Sequence, residues 1–142
     1  MKLTLHHINI TGSNVKDLDR FYSEVMNLGD VPEMNALPTL DDDALRVPVA
    51  FRSDGQTQLH LAEQDLGLAL RHDKAINPLE RGHIAYRTDD IEAFKKHLDD
   101  KGVLYTDYGT TFTQHWHQLF FLDPAGTIIE VHQVLDSAPT QS

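Results

Sequence analysis

The chain contains no cysteine. Disulfides, thiolate nucleophiles and cysteine-ligated zinc are therefore excluded. Positive charge is also scarce: 12 Lys and Arg stand against 22 Asp and Glu, for a net charge of −10. Nucleic acid and anionic membrane surfaces reward clustered basic residues, so neither is expected as a partner. No apolar run is long enough to span a bilayer, and the N-terminus enters an alternating pattern rather than a signal peptide. The expected location is the cytoplasm. What remains is an ordinary globular composition, 40% hydrophobic and 24% charged over 142 residues. That length suits one domain, or two small units sharing a core. Histidine is the outlier, with nine residues.

Two stretches of the sequence run in step. His7, Ile8, Val15, Leu18 and Tyr22 match His83, Ile84, Ile91, Phe94 and Leu98 at a constant offset of 76 (83 − 7). A pattern held at a fixed offset is the mark of a duplicated structural unit. Each copy carries a histidine, and two such copies can bring their histidines together at a pseudo-two-fold axis.

The local signals support the same division. Residues 3–10 read as a strand, with Leu3, Leu5, His7 and Asn9 on one face and Thr4, His6, Ile8 and Ile10 on the other. Gly12-Ser13-Asn14 turns the chain, and Ser13 or Asn14 caps a helix carrying Val15, Leu18, Tyr22, Val25 and Met26. Residues 32–43, with two prolines and Asp41-Asp42-Asp43, read as a loop. Strands follow over 45–53 and 57–62, and 63–81 connects the halves. The second half repeats the order: a strand over 81–88, an N-cap signature at Asp89 and Glu92, and a helix ending at Gly102. Strands over 103–108, 113–122 and 127–134 complete it, with Asp123-Pro124-Ala125-Gly126 as a turn. The expected class is α+β, one domain over 1–142. It is built from a module at 1–66 and a module at 80–135, with a disordered tail at 136–142. Neither half alone is large enough to bury a stable core, so the halves are expected to pair.

Equivalent strands place polar residues at comparable positions. The first strands give His7 and His83. The last give His60, between Leu59 and Leu61, and Glu130, between Ile129 and Val131. On a strand the apolar neighbours point to the opposite face, so His60 and Glu130 share the side turned away from the helices. A single buried histidine is more often hydrogen-bonded structure than a ligand. A carboxylate flanked by apolar residues is harder to bury without a cation or donors. Three imidazoles and a carboxylate suit a divalent transition metal, Fe, Mn, Ni, Co or Zn, with open positions for two neighbouring substrate oxygens.

His7-Ile8-Asn9-Ile10, Phe21-Tyr22, Leu28-Gly29, Gly82-His83-Ile84-Ala85-Tyr86 and the run from Phe120 to Glu130 occur in the order and spacing of one family. In these segments the chain resembles the vicinal oxygen chelate superfamily: glyoxalase I, extradiol dioxygenases, methylmalonyl-CoA epimerase, and fosfomycin and bleomycin resistance proteins. The resemblance covers nearly all of the chain except the tail. It implies two paired βαβββ modules forming a cup-shaped mixed sheet with helices outside, a metal held by His7, His60, His83 and Glu130, and a homodimer. His60 stands at the most variable of those positions. Glyoxalase I commonly has an arginine four residues after its first ligand and a carboxylate at its second; here these are Thr11 and His60. Both departures argue against glutathione hemithioacetal isomerisation. The set His7, His83 and Glu130 also looks like that of ring-cleaving dioxygenases, which usually have four modules. Bleomycin-binding members lack the ligands.

Other residues are candidates of lower rank. Alternation puts His115 and His117 on one face with Leu119 and Phe121, as an acid or base lining the cup or as a solvated strand edge. Trp116 falls on the other face, with Phe120 and Leu122. His132 shares the face of Glu130, beside the metal or on the surface. His97 belongs to the wet side of its helix.

The expected function is a metal-dependent enzyme that binds a small substrate through vicinal oxygens and stabilises an enolate-type intermediate in isomerase, lyase or epimerase chemistry. Glu130 serves as both ligand and base. The alternatives are an Fe(II) extradiol-type ring-cleaving dioxygenase and a non-catalytic small-molecule binding or resistance protein.

Overall fold

The structure is a computed structural model that describes residues 2–34 and 48–135. Asp41-Asp42-Asp43, the start of the strand expected over 45–53, and the tail at 136–142 lie outside the described residues. Seven strands form one open mixed sheet: β1 (Leu3–Gly12), β2 (Val49–Ser53), β3 (Gln58–Glu63), β4 (His83–Thr88), β5 (Tyr105–Gly109), β6 (Trp116–Leu122) and β7 (Ile128–Val134), in the order β2-β3-β1-β4-β7-β6-β5. The α-helices among the described residues are α1 (Val15–Arg20), α2 (Leu68–Arg71) and α3 (Ile91–Asp100), and a 3-10 turn spans Pro32–Met34, the start of the stretch expected as a loop. Between β1 and β3 the described residues hold α1 and β2. Between β4 and β7 they hold α3, β5 and β6. Among the described residues no helix is long and apolar enough to cross a membrane.

The register makes the duplication visible in space. β1 and β4 pair antiparallel at the centre of the sheet, with Ile8 directly opposite Ile84. These two residues are equivalent in the 76-residue offset (84 − 8). An antiparallel pair of equivalent strands has a local two-fold at such a pair. The flanking parallel ladders agree: Asn9 pairs with His60 on β3, and Ala85, the counterpart of Asn9, pairs with Glu130 on β7. His60 and Glu130 are thus equivalent by register.

One side of the sheet carries the helices. Val15 and, from the turn after α1, Tyr22 pack with Ile10, Leu59 and Leu61. Ile91, Phe94 and Leu98 of α3 pack on Leu119 and Val131. This leaves the alternate residues, His7, His60, His83 and Glu130 among them, on the other side. Asn14 caps α1, its side chain accepting from Asp17 N. After Arg20 that helix widens into a π-helical turn over Phe21–Val25, closed by Met26 N donating to Phe21 O at 3.1 Å. The cap of α3 is Asp90 rather than Asp89, its carboxylate accepting from Ala93 N at 3.0 Å. Gly102 ends α3 at φ 71°, the left-handed conformation that glycine adopts without a side-chain penalty.

The two halves differ where β1 meets β4. The register slips between Leu5 and His7, so that β1 holds one extra residue there, His6. Such a β-bulge re-aims side chains, and strict alternation fails at this point: His6 joins His7 on the face away from the helices. The position equivalent to His6 in the second half is Gly82 (6 + 76). A Cβ at Gly82 would stand 2.3 Å from the backbone oxygen of Asn9, so this close approach of the strands requires glycine.

Candidate metal centre

His7, His83 and Glu130 converge in the middle of the sheet, from β1, β4 and β7. Each offers a ligand atom within 4.8 Å of the others, and all three are buried. Glu130 Oε1 lies 3.0 Å from His83 Nε2 and 3.8 Å from His7 Nε2. Ligand atoms about 2.1 Å from one ion stand ~3.0 Å apart at right angles and ~3.4 Å apart at tetrahedral angles. Both Glu130 distances therefore lie within an ångström of these spacings.

Hydrogen bonds around the cluster fix where its protons are. His83 Nδ1 lies 3.2 Å from the carbonyl oxygen of Pro78. A carbonyl only accepts, so Nδ1 donates to it, and Nε2 faces Glu130 Oε1 at 3.0 Å. His132 is placed in the opposite sense. Its Nε2 accepts from Arg87 Nε at 3.0 Å, so its Nδ1 proton goes to Glu130 Oε2 at 2.7 Å. Glu130 Oε2 thus accepts from His132, while Oε1 faces the imidazole nitrogens of His83 and His7. That donor set fits a divalent cation.

The electrostatics point the same way. Burial, followed by the neighbouring His60, pushes His7 well below the ordinary histidine range, against the attraction of Glu130. Burial and the neighbouring His6 do the same to His60. Burial by itself would raise the Glu130 carboxyl, but His7, His132 and His83 outweigh it and hold it well below the ordinary carboxylate range. Neutral imidazoles around an ionised carboxylate are the protonation states that metal ligands require.

His60 takes a different position from the one its register suggests. Its ring stacks on His7 at 3.5 Å between centroids and 13° between planes. Stacked rings send their in-plane lone pairs side by side rather than toward one point. Gln58 donates to Glu33 Oε1 at 2.6 Å, which turns its amide oxygen to His60 Nε2 at 2.8 Å, so the free lone pair of His60 is on Nδ1. His60 forms a second close group with His6 and His7. His7 is common to both groups. The four expected ligands are thus neighbours, and three of them converge.

His115 and His117 are not brought to the cluster. β6 begins at Trp116, one residue after His115. His117 faces the helix side, where its Nε2 bonds Asp107 at 2.8 Å beside Lys95 of α3. Instead Trp116 faces the cluster, its ring stacked on His132 at 4.2 Å and 8°. Arg87 lies over the same indole, 5.3 Å from its centroid. Alternation from His83 through Ala85 reaches Arg87, and alternation from Glu130 reaches His132, so both are readable as same-face residues. His6 carries no such signal, because a bulge leaves no mark in the local alternation.

The family model of the Glyoxalase/Bleomycin resistance protein/Dioxygenase superfamily matches residues 4–131. Several solved structures share the fold. A hypothetical protein from Bacillus halodurans C-125 is 19% identical, with a TM-score of 0.64, covering 99% of this chain and 100% of its own. Methylmalonyl-CoA epimerase from Mycobacterium tuberculosis is 19% identical, with a TM-score of 0.62, covering 92% and 87%. A single-substitution variant of Streptomyces coelicolor methylmalonyl-CoA epimerase, in complex with 2-nitronate-propionyl-CoA, is 18% identical, with a TM-score of 0.60, covering 97% and 98%. At these identities the likeness carries the fold alone. No curated protein matches the chain.

Proposed function

Because the chain belongs to the Glyoxalase/Bleomycin resistance protein/Dioxygenase superfamily, we propose that it is a metal-dependent enzyme acting on a small substrate bound through two vicinal oxygens. His7, His83 and Glu130 would hold the ion. The observation that carries this reading is the buried convergence of His7, His83 and Glu130, whose ligand atoms lie within 4.8 Å of one another, with His83 Nε2 3.0 Å from Glu130 Oε1. A divalent ion held there supplies Lewis-acid stabilisation of the negative charge that develops on a substrate oxygen. The protein supplies the rest. The buried ring of Trp116, with Val31 and Met34 packed on it, excludes water from one side of the cluster. Glu130, through Oε1, the oxygen that His132 leaves free, is the candidate proton acceptor for a substrate that loses a proton beside its bound oxygens. His60, stacked on His7, holds that ring in orientation and is the fourth candidate ligand.

The expected chemistry is proton transfer, as in isomerisation, epimerisation or elimination. The test uses metal-loaded protein and a panel of 2-oxo acids, 2-hydroxy ketones and catechols in deuterated water. Metal-dependent deuterium incorporation that Glu130→Gln abolishes is the expected result. Absence of exchange across the panel, with no oxygen consumed, would contradict the enzyme reading. A second reading has its own support: two histidines and one carboxylate with open positions is the donor set of non-haem Fe(II) oxygenases. Oxygen uptake with a catechol by the anaerobically Fe(II)-loaded protein would select that reading over the first.

A further inference from the structure

We propose that Arg87 and His132 are positioning residues that hold Glu130 as a ligand through one oxygen only, which keeps the adjoining coordination positions open for substrate. The inference rests on the metal reading of the cluster. It assigns a role to two buried or half-buried polar groups that ligation itself leaves unused.

Arginine has donors and no acceptor, so the bond from Arg87 Nε at 3.0 Å requires an unprotonated Nε2 on His132. The neutral ring must then carry its proton on Nδ1, and that proton lies against Glu130 Oε2 at 2.7 Å. The chain of donors runs one way, from Arg87 through His132 to Oε2. Register enforces it: Arg87 on β4 sits directly opposite His132 on β7, two residues beyond the pair Ala85 and Glu130. The ring cannot turn over to offer the other nitrogen. His132 is fully buried, and Trp116 lies flat on its face at 4.2 Å. With Oε2 occupied, Glu130 presents only Oε1 toward His7 and His83. A carboxylate free of that bond could chelate through both oxygens and take a position that a substrate with two vicinal oxygens needs. Groups that orient a ligand in this way change metal affinity about 10- to 100-fold when removed.

The experiment has two readouts. Nitrogen-15 spectra of the metal-free protein report which ring nitrogen of His132 bears the proton. We expect the proton on Nδ1 in the wild type, and in Arg87→Met a moved Nε2 signal, as that nitrogen loses its hydrogen bond, while Nδ1 keeps its proton against Oε2. Titration with Co(II) alone reports affinity and, through its visible absorption, coordination number. His132→Val should bind Co(II) about 10- to 100-fold more weakly, with weaker absorption as the coordination number rises. His132→Asn, whose amide nitrogen can replace Nδ1 as donor to Oε2, should recover most of the affinity and the wild-type spectrum. A His132 proton found on Nε2 in the wild type overturns the inference. So does equal Co(II) affinity in the wild type and His132→Val. Wild-type protein that binds no Co(II) overturns the metal reading itself, and the positioning roles with it. Arg87→Met, at a half-buried site, keeps the tautomer test available if His132→Val does not fold.

Discussion

Replacing Gly82 with alanine should damage the protein at the seam that assembles its cluster. The added Cβ would stand 2.3 Å from the backbone oxygen of Asn9, where ordinary contacts begin near 3.4 Å. The obstacle is backbone in the central strand pair, so no side chain can swing aside. β1 and β4 must part by about an ångström next to the pair Asn9 and His83. Overpacking of this kind costs ~1–3 kcal/mol, and the loss of one or two ladder hydrogen bonds adds ~1 kcal/mol each. A total of about 3 kcal/mol corresponds to a melting temperature lower by roughly 6–12 °C for a chain of this length. Gly29 provides the control. Its nearest neighbour to an added Cβ is Ser53 O at 4.0 Å, and Gly29→Ala should leave stability unchanged or raise it by a few tenths of a kcal/mol. Calorimetry of both variants and the wild type decides the matter. If Gly82→Ala melts within a degree of the wild type, the strands are not packed as described, and the close approach that distinguishes the two halves is wrong.

Stability of the metal-free protein should fall with acid, starting above the usual carboxylate range. Burial, aided by Arg87 and His132, lowers His6 to about 3, and His7, His60 and His132 are lowered as well, burial being the first cause for each. Below about pH 6.5 the unfolded chain takes up protons that the folded chain refuses, so stability is lost as pH falls through that value. Each such histidine contributes about 1 kcal/mol by about pH 5.5. Glu130, lowered in the fold, adds to the loss at still lower pH. A melting temperature that stays flat from about pH 7.5 to about pH 5.5 would contradict this. His117→Ala should leave metal affinity unchanged, because its partner is Asp107 on the helix side; a loss of metal in a titration of that variant would place His117 at the centre after all.

The fold and much of the site are legible in the sequence because duplication copies geometry along with residues. The offset that aligns Ile8 with Ile84 predicts which strands are equivalent, and those residues face each other across the centre of the sheet. The apolar flanks of His60 and Glu130 predict their face, since alternation on a regular strand follows from backbone geometry alone. Legibility ends where regularity ends. His6 is turned by a bulge in the pairing of β1 with β4, between Leu5 and His7, opposite Tyr86 and Ala85, which are about 80 residues away and cannot be seen locally. Alternation groups His117 with Leu119, but nothing in one strand says which of its two faces meets a helix. That is decided by Phe94 and Leu98 packing on Leu119. The stacking of His60 on His7, which withdraws one expected ligand from the converging set, depends on Gln58 and Glu33 and so on contacts made only in the folded chain.

If His7, His83 and Glu130 hold a metal ion as proposed, the chain should retain one. Metal content after loading with Co(II) or Mn(II) and exhaustive dialysis tests it directly. About one equivalent per chain is expected in the wild type and a large loss in both His83→Ala and Glu130→Ala, with His60→Ala less affected. Wild-type protein without bound metal, or Glu130→Ala that retains a full equivalent, would contradict it.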